Sequence, residues 1–209
     1  MELIVITPDN SVINEAETVN QLLDAGLQRL HIRKSHFTKE DYREYIRAIK
    51  SEYHLRIVIH GYFDLFHELS LGGIHLNTAA RNDDTLKEQI GNISSSFIST
   101  SFHSWKEIVD NEFPYRYVFI SPVFDSISKA GYKAGIDLNG AMETKQELKR
   151  NNKYCQQIIG LGGVGVSQVE TLHLYGFDGA AMLGAIWMAE EPVAVFKDSK
   201  HIAGVEVGG

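Results

Sequence analysis

Two turns late in the chain have the composition of an anion-binding site. One apolar run ends in Gly162 and Gly163, and the next ends in Leu183 and Gly184. Glycines at the ends of consecutive strands allow backbone N–H groups to approach a phosphate, and a following helix adds the positive end of its dipole. Glycines can also serve only to turn the chain. Because two such turns follow one another, the pattern favours a phosphate site.

A third polar segment suits a second phosphate or a diphosphate. Ser126, Ser128 and Lys129 follow an apolar run and open a stretch that ends at Gly135. Two hydroxyls and a mobile ammonium group match a phosphate, since lysine acts as a point charge. A solvated connection of the same composition is the alternative.

Arg33 ends the second apolar run, two residues after His31. Side chains two residues apart project from the same face of a strand, so we expect both in the interior of a barrel. An interior arginine needs an anion or a hydrogen-bonding partner, because an unpaired buried charge is very costly. The alternatives are a structural ion pair for Arg33 and a satisfied core residue for His31.

The other histidines and the single cysteine give weaker patterns. Ser101 precedes His103 by two residues, but no third member of a hydrolytic triad is identifiable. Hydrogen bonding to a ligand or capping of the next helix is expected instead. His60 and His75 lack the paired spacing of a zinc site, and no zinc is predicted. Cys155 has no Cys-x-x-Cys partner and is interpreted as a passive thiol.

Composition narrows the classes of partner. The 209 residues carry 20 Lys and Arg against 27 Asp and Glu, a net charge of -7, which disfavours nucleic acid and anionic membranes as partners. One cysteine suits a reducing compartment, and no apolar run reaches the length of a membrane span. The first residues lack the pattern of a signal peptide. We therefore expect a cytoplasmic protein.

Eight apolar runs of strand length alternate with helical stretches, as in parallel sheets covered on both faces. The pattern predicts an α/β fold, a single (β/α)8 TIM barrel over residues 1–209, with the barrel in about 1–198 and a tail in 199–209. A doubly wound open sheet alternates in the same way and is the alternative. The predicted strands are Leu3–Thr7, Leu27–Arg33, Arg56–His60, Gly73–Asn77, Phe97–Ser101, Tyr117–Phe124, Gln157–Gly162 and Gly179–Ile186.

Local signals place the ends of several helices. One helix is predicted over Val12–Ala25 and another over Thr38–Lys50, which opens on a variant capping box from Thr38 to Asp41. Further predicted features are N-caps at Asn139 and Ser167 and a final helix that begins within Val193–Lys197.

Five segments resemble, in order, motifs of the thiamin phosphate synthase/TenI family. The match extends across nearly the whole chain, and five short motifs in the right order on barrel strands are hard to obtain by chance. The segments are Leu30–Arg33 for Q-x-R-x-K, Gly73–Leu76 for G-V-H-L, Ser99–His103 for G-x-S-x-H, Ser121–Lys129 for G-P-[IV]-F-x-T-x-T-K and Leu161–Val164 for I-G-G-I.

The resemblance implies a thiamin-biosynthesis enzyme that holds a thiazole phosphate in its barrel. In the synthase branch, a transferase, hydroxymethylpyrimidine diphosphate loses pyrophosphate and the thiazole nitrogen attacks the resulting carbocation. Carboxylates hold Mg2+ against the departing diphosphate. The synthase reaction is the main prediction. A homo-oligomer is compatible with it. The candidate catalytic residues are Arg33, His103 and Lys129, and the candidate substrate-binding residues are His31, His60, Ser101, Ser126, Ser128, Gly162, Gly163, Leu183 and Gly184.

The chain departs from the synthase pattern where Mg2+ ligands are expected. The N-D pair that follows the third strand of synthases falls on His60 and Gly61, and the second aspartate falls at or near Ala80. The resemblance therefore does not identify a metal ligand in this chain. The candidate substitutes are Asp64, Asp83 and Asp84.

Other departures point toward the second branch of the family, which includes a thiazole tautomerase that works by acid/base catalysis without a metal. The H-I-R of the second strand, which runs from His31 to Arg33, and Gly61 after the third strand resemble that branch. The lysine that synthases carry two residues after Arg33 falls on Ser35, with Lys34 one position early. Yet the histidine of the tautomerases falls on Pro122, as in the synthases. A tautomerase would use His60 or His103 for proton transfer. A thiazole-phosphate binding protein without catalysis is the third hypothesis.

Overall fold

Eight parallel strands close into a barrel in which each strand pairs with its neighbours in chain order. The computed structural model describes residues 1–125, 134–153 and 156–204. Closure is made by β1 pairing with β8, so neither has a free edge, which confirms the barrel and excludes the open sheet. The strands are β1 Glu2–Ile6, β2 Arg29–Ile32, β3 Ile57–Ile59, β4 Gly73–Leu76, β5 Ile98–Phe102, β6 Tyr117–Ile120, β7 Gln157–Leu161 and β8 Gly179–Met182.

Helices follow the strands around the outside of the barrel. No helix in the described part of the chain is long and apolar enough to cross a membrane. The helices are α1 Glu15–Asp24, α2 Lys39–Arg47, α3 Leu65–Glu68, α4 Thr78–Arg81, α5 Asp84–Gln89, α6 Trp105–Asp110, α7 Gly140–Arg150, α8 Val166–Leu174, α9 Gly184–Trp187 and α10 Pro192–Ile202, with 3-10 turns at Ser51–Arg56 and Ser95–Phe97.

The strands alternate between two apolar clusters, as residues of period two must. Outward side chains such as Val5 and Leu30 join the large core between the barrel and the helices. Inward side chains such as Ile4, Phe119 and Ile159 form a smaller cluster inside the barrel. Near the mouth, β2 and β4 carry inward histidines instead, and a third histidine directly follows β3, so the interior is divided into an apolar and a polar side.

The observed helix caps agree only in part with those predicted from the sequence. The capping box is confirmed, because Thr38 accepts from the Asp41 amide and Asp41 accepts from the Thr38 amide. The N-cap prediction for Ser167 is wrong, since α8 begins after Gly165 and the Ser167 hydroxyl donates to Gln168. Asn139 does precede α7, but its side chain binds Asp137 and caps no helix amide.

The first and last helices differ in extent from the sequence prediction. Helix α1 begins at Glu15, three residues later than expected, because Asn14 has a left-handed backbone with φ 57°. Helix α10 begins at Pro192, whose fixed φ suits the first turn, and runs to Ile202. The expected boundary between barrel and tail at residue 198 therefore falls inside a helix.

Candidate active site at the barrel mouth

A cavity of about 440 Å3 opens at the carboxyl ends of the strands. This is the end at which barrels of this class carry their chemistry. Its lining combines imidazoles, hydroxyls, a guanidinium group and apolar rings. The lining residues are Ile6, Arg33, Lys34, Ser35, Phe37, Tyr42, His60, Gly61, Tyr62, His75, Asn77, Ser101, Phe119 and Leu161.

Two histidines that line this cavity, His60 and His75, meet the fully buried His31. We call these three residues the histidine cluster. One nitrogen of each ring lies within 4.8 Å of the other two. The ring centres are 5.1 Å apart for His31–His60, 5.3 Å for His31–His75 and 4.4 Å for the stacked His60–His75 pair. The register of β3 and β4, with Ile59 opposite Ile74, places His60 beside His75.

Hydrogen bonds fix the orientation of the two buried members. His31 Nε2 lies 2.7 Å from the Tyr117 hydroxyl, and His31 Nδ1 lies 2.9 Å from His60 Nε2. His75 Nδ1 lies 2.9 Å from Ser99 Oγ, which itself donates to the Ile74 carbonyl. Because that hydroxyl proton is already used, Ser99 must accept from His75 Nδ1. The lone pair of His75 is then on Nε2.

Burial keeps the histidine cluster neutral. Desolvation lowers the pKa of His31 and of His75 well below the ordinary value, and the neighbouring histidines lower them further. Desolvation, with the Arg33 charge as a second cause, lowers the pKa of His60 to about 3. Neutral imidazoles can accept hydrogen bonds or bind a metal, but a group with so low a pKa is a poor proton acceptor near neutral pH.

Arg33 lies at the rim of the cavity, and the expectation that it is interior is wrong. Strand β2 ends at Ile32, so Arg33 follows the last strand residue and its side chain is exposed. Among the described residues no carboxylate pairs with its guanidinium group. The predicted structural ion pair is therefore not formed with any described carboxylate. Hydrogen bonds from Ser35 and, to a smaller extent, the Arg33 charge lower the pKa of Asp9. The exposed guanidinium group is available to a ligand.

Lys34, the neighbour of Arg33, is a structural residue. Its Nζ lies 2.7 Å from Glu15 Oε2, and both side chains are buried. The Tyr45 hydroxyl donates to the other oxygen of Glu15 at 2.7 Å. Ser35, at the position of the family lysine, donates to Asp9. Neither residue replaces that lysine as a free cation at the mouth.

The two polar residues at the end of β5 have separate places. Ser101 lines the cavity, with its Oγ 2.9 Å from His75 Nε2. His103 is exposed and does not line the cavity; its Nδ1 lies 3.0 Å from the Ser121 carbonyl, to which it can only donate. The structure therefore brings Ser101, and not His103, to the histidine cluster.

The glycine turn after β7 requires glycine for two reasons. Gly162 and Gly163 have φ values of 101° and 64°, in the left-handed region that side chains disfavour. A Cβ on Gly163 would lie 2.2 Å from the Asp125 carbonyl oxygen. Leu183 and Gly184 form the corresponding turn after β8, where α9 begins. Ser126, Ser128 and Lys129 lie outside the described residues, as does Cys155.

The three candidate aspartates do not reach the cavity. Asp64 pairs with Lys39, Asp83 caps the amide of Leu86, and Asp84 pairs with Lys87. Their carboxylates are occupied on the outer helices, and no carboxylate lines the cavity in the described part of the chain. Mg2+ prefers oxygen ligands that include carboxylates, so the donors at this mouth do not fit that ion.

Sequence reasoning missed His75 and the meeting of three histidines. Zinc-ligand spacing was sought along one segment, whereas the cluster takes His31 from β2, His75 from β4 and His60 from the position directly after β3. A partial signal was present, because His31, His60 and His75 each lie within the last three residues of a predicted strand. Tyr42 was also missed as a lining residue.

A closed parallel barrel with its cavity and polar groups at the carboxyl ends of the strands is the architecture on which (β/α)8 barrels build ligand sites. Comparison with known proteins defines the family. The model described as thiamine monophosphate synthase matches residues 3–186, and the chain belongs to this family. The resemblance found in the five motifs is thereby confirmed.

Relatives and solved structures agree with the family. The chain is 21% identical to a thiamine-phosphate synthase of Flavobacterium johnsoniae, covering 89% of this chain and 88% of that one. It is similar to the crystal structure of a thiamine phosphate pyrophosphorylase from Bacteroides thetaiotaomicron, at 27% identity and a TM-score of 0.74 over 100% of both chains. The pyrophosphorylase of Pyrococcus furiosus, at 20% identity and TM-score 0.75 over 97% of this chain and 95% of that one, shares the fold.

Proposed function

We propose that the chain is a transferase of the thiamine-phosphate synthase type. The observation that carries this proposal is the family match over residues 3–186, which spans all the strands whose carboxyl ends build the mouth. In the proposed reaction, the bond between the pyrimidine methylene carbon and the diphosphate oxygen breaks, and its electron pair leaves on the diphosphate. The thiazole nitrogen then forms a bond to that carbon.

Each side of the mouth has a role in this proposal. The backbone at Gly162, Gly163 and Gly184 receives the phosphate of the thiazole, because these positions let main-chain N–H groups approach an anion. The exposed guanidinium of Arg33 binds the diphosphate and stabilises the charge that develops on it, together with Lys129. Phe119 and Leu161 supply an apolar wall for the rings of the substrates.

The direct test is a reaction with both substrates. The full chain is incubated with hydroxymethylpyrimidine diphosphate and thiazole phosphate, with and without Mg2+, and thiamin phosphate and pyrophosphate are measured. We expect equal amounts of the two products and a rate reduced at least about tenfold in Arg33→Gln. Arg47→Gln, an exposed arginine of α2, is the matched control. No product from a chain that binds the thiazole phosphate would contradict the proposal.

A tautomerase is the second candidate, and the observation in its favour is the absence of carboxylates from the described lining of the cavity. Such an enzyme moves a proton and needs no diphosphate-bound metal. The low pKa of His60 makes it a poor proton acceptor. The remaining candidate is His103, which does not itself line the cavity but follows the cavity-lining Ser101 by two residues. Isomerisation of a thiazole carboxylate phosphate, lost in His103→Gln, would support this candidate. Binding without either reaction would support a binding protein.

A further inference from the structure

We propose that the histidine cluster is a binding site for a divalent transition metal ion of the Zn2+ class, with three imidazole ligands from His31, His60 and His75. The proposal does not depend on the reaction above. It concerns a different ligand set from the carboxylates expected of a synthase, and it is tested by metal binding.

The spacing of the three rings fits one ion. Zn2+ binds imidazole nitrogen at 2.0–2.1 Å, so three imidazoles on one tetrahedral ion place their ring centres about 5 Å apart. The separations of 5.1 and 5.3 Å from His31 to His60 and His75 match that value. The stacked His60 and His75 rings, 4.4 Å apart, would have to move apart by roughly 0.6 Å for both to reach the same ion. The contact of 2.9 Å between His31 Nδ1 and His60 Nε2 would have to open to about 3.3 Å. His60 is only half-buried, so this small displacement is available to it.

The hydrogen bonds behind the rings are those of a metal site. Histidine ligands almost always donate their second ring N–H to an oxygen, which fixes the tautomer and the ring orientation. His75 donates from Nδ1 to Ser99 and keeps its lone pair on Nε2, beside Ser101 at the cavity. His31 has the Tyr117 hydroxyl on Nε2 and points Nδ1 toward His60. Each buried ligand is thus oriented from behind.

The donor type selects the class of metal. Imidazole suits Zn2+, Cu2+, Ni2+ and Fe2+, whereas Mg2+ and Ca2+ take oxygen ligands. No carboxylate of the described residues competes with the three imidazoles at the cavity. Three protein ligands leave one tetrahedral position, and His60 and His75 border the cavity, so that position faces it. A water or a phosphate oxygen of a substrate would occupy it.

Metal titration of the full chain tests the proposal. The protein, prepared without a polyhistidine tag and freed of metal with a chelator, is titrated with Zn2+ in the absence of any substrate. We expect one ion per chain. Replacement with Co2+ should give the intense visible absorption of four-coordinate cobalt, and X-ray absorption at the zinc edge should report about three imidazole ligands. A wild-type chain that binds no stoichiometric Zn2+ overturns the proposal.

Two variants separate the cluster from ordinary surface binding. His60→Gln removes the half-buried ligand and should weaken Zn2+ binding by about a hundredfold and abolish the cobalt absorption. His173→Gln removes an exposed histidine of α8 and should bind as wild type does. Equal affinity in His60→Gln and wild type would show that the histidines only hydrogen-bond to one another. If His60→Gln unfolds, the cobalt absorption and the zinc-edge spectrum of the wild-type chain still show whether three imidazoles bind the ion.

Discussion

The barrel mouth has two sides that present different chemistry on the same backbone. The side formed by β2, β3 and β4 presents side chains, namely the histidine cluster and Arg33. The side formed by β6, β7 and β8 is apolar inside, with Phe119 and Ile159, and ends in glycine turns. The β2–β4 side therefore depends on particular polar side chains, whereas the β6–β8 side depends on glycines, which have no side chain.

This difference has consequences for stability. Polar side chains that are buried must satisfy one another, so that removing one partner leaves the other exposed to a large desolvation cost. A glycine turn carries no such network, but it tolerates no Cβ where φ is positive or where a neighbouring backbone is close. We expect the stability of the first side to fall when a buried polar group is removed, and that of the second side to fall when a Cβ is added to a glycine.

The largest effect is expected at Lys34, which supports the polar side. Lys34→Met leaves the buried Glu15 carboxylate without its cation, so the free energy of unfolding should fall by about 3–5 kcal/mol. Lys39→Met breaks the exposed pair with Asp64 and should change it by less than about 1 kcal/mol. Urea denaturation of both variants measures the contrast. Equal losses would mean that burial of the Lys34 pair has no special weight.

The second effect is a loss of stability in acid. The folded-state pKa of His60 is about 3, below its ordinary value of 6.5, so the unfolded chain takes up the proton first as the pH falls. This contribution is complete above pH 6.5 and is lost between pH 6.5 and about 3. With metal removed by a chelator, His60 alone should lower the free energy of unfolding by about 3 kcal/mol near pH 4.5.

Denaturation curves across that pH range, for wild type and His60→Gln, measure the effect. His31 and His75 contribute in the same direction, since burial also lowers their pKa values. The variant should therefore keep an acid-sensitive limb that is shallower than that of wild type. An unchanged slope would mean that His60 is solvated well enough to titrate normally.

The sequence predicted the elements of this comparison better than their contacts. Period-two alternation correctly placed His31 on an inward face, and the paired glycines marked the turns that have positive φ. It could not bring His31, His60 and His75 together, because their meeting depends on the register between three strands that are separated along the chain.

The sequence also did not predict where strand β2 ends. Arg33 was expected inside because it is two residues from His31, but β2 ends one residue earlier, and the guanidinium lies at the rim. Lys34, one residue further, turns into the protein to meet Glu15 on α1. That choice between two adjacent cations depends on where the carboxylate of another element lies, which no local pattern contains.

The third effect tests the glycine side. Gly163→Ala places a side chain at φ 64° and against the Asp125 carbonyl, so the free energy of unfolding should fall by about 2 kcal/mol and affinity for thiazole phosphate should fall with it. Gly61→Ala adds the same atom at the polar side, where nothing lies within 4 Å of it, and should change stability by less than about 0.5 kcal/mol. Equal responses would remove the distinction between the two sides.

The smallest effect on folding is expected at Arg33, where the two sides act on one ligand. Arg33→Gln should leave the free energy of unfolding within about 0.5 kcal/mol of wild type, because the side chain is exposed. Calorimetry should show affinity for inorganic diphosphate reduced about tenfold, or about 1.4 kcal/mol, at low salt and less at high salt. If Arg33→Gln instead lost stability as Lys34→Met does, Arg33 would be a structural residue. The anion would then depend on the glycine side alone.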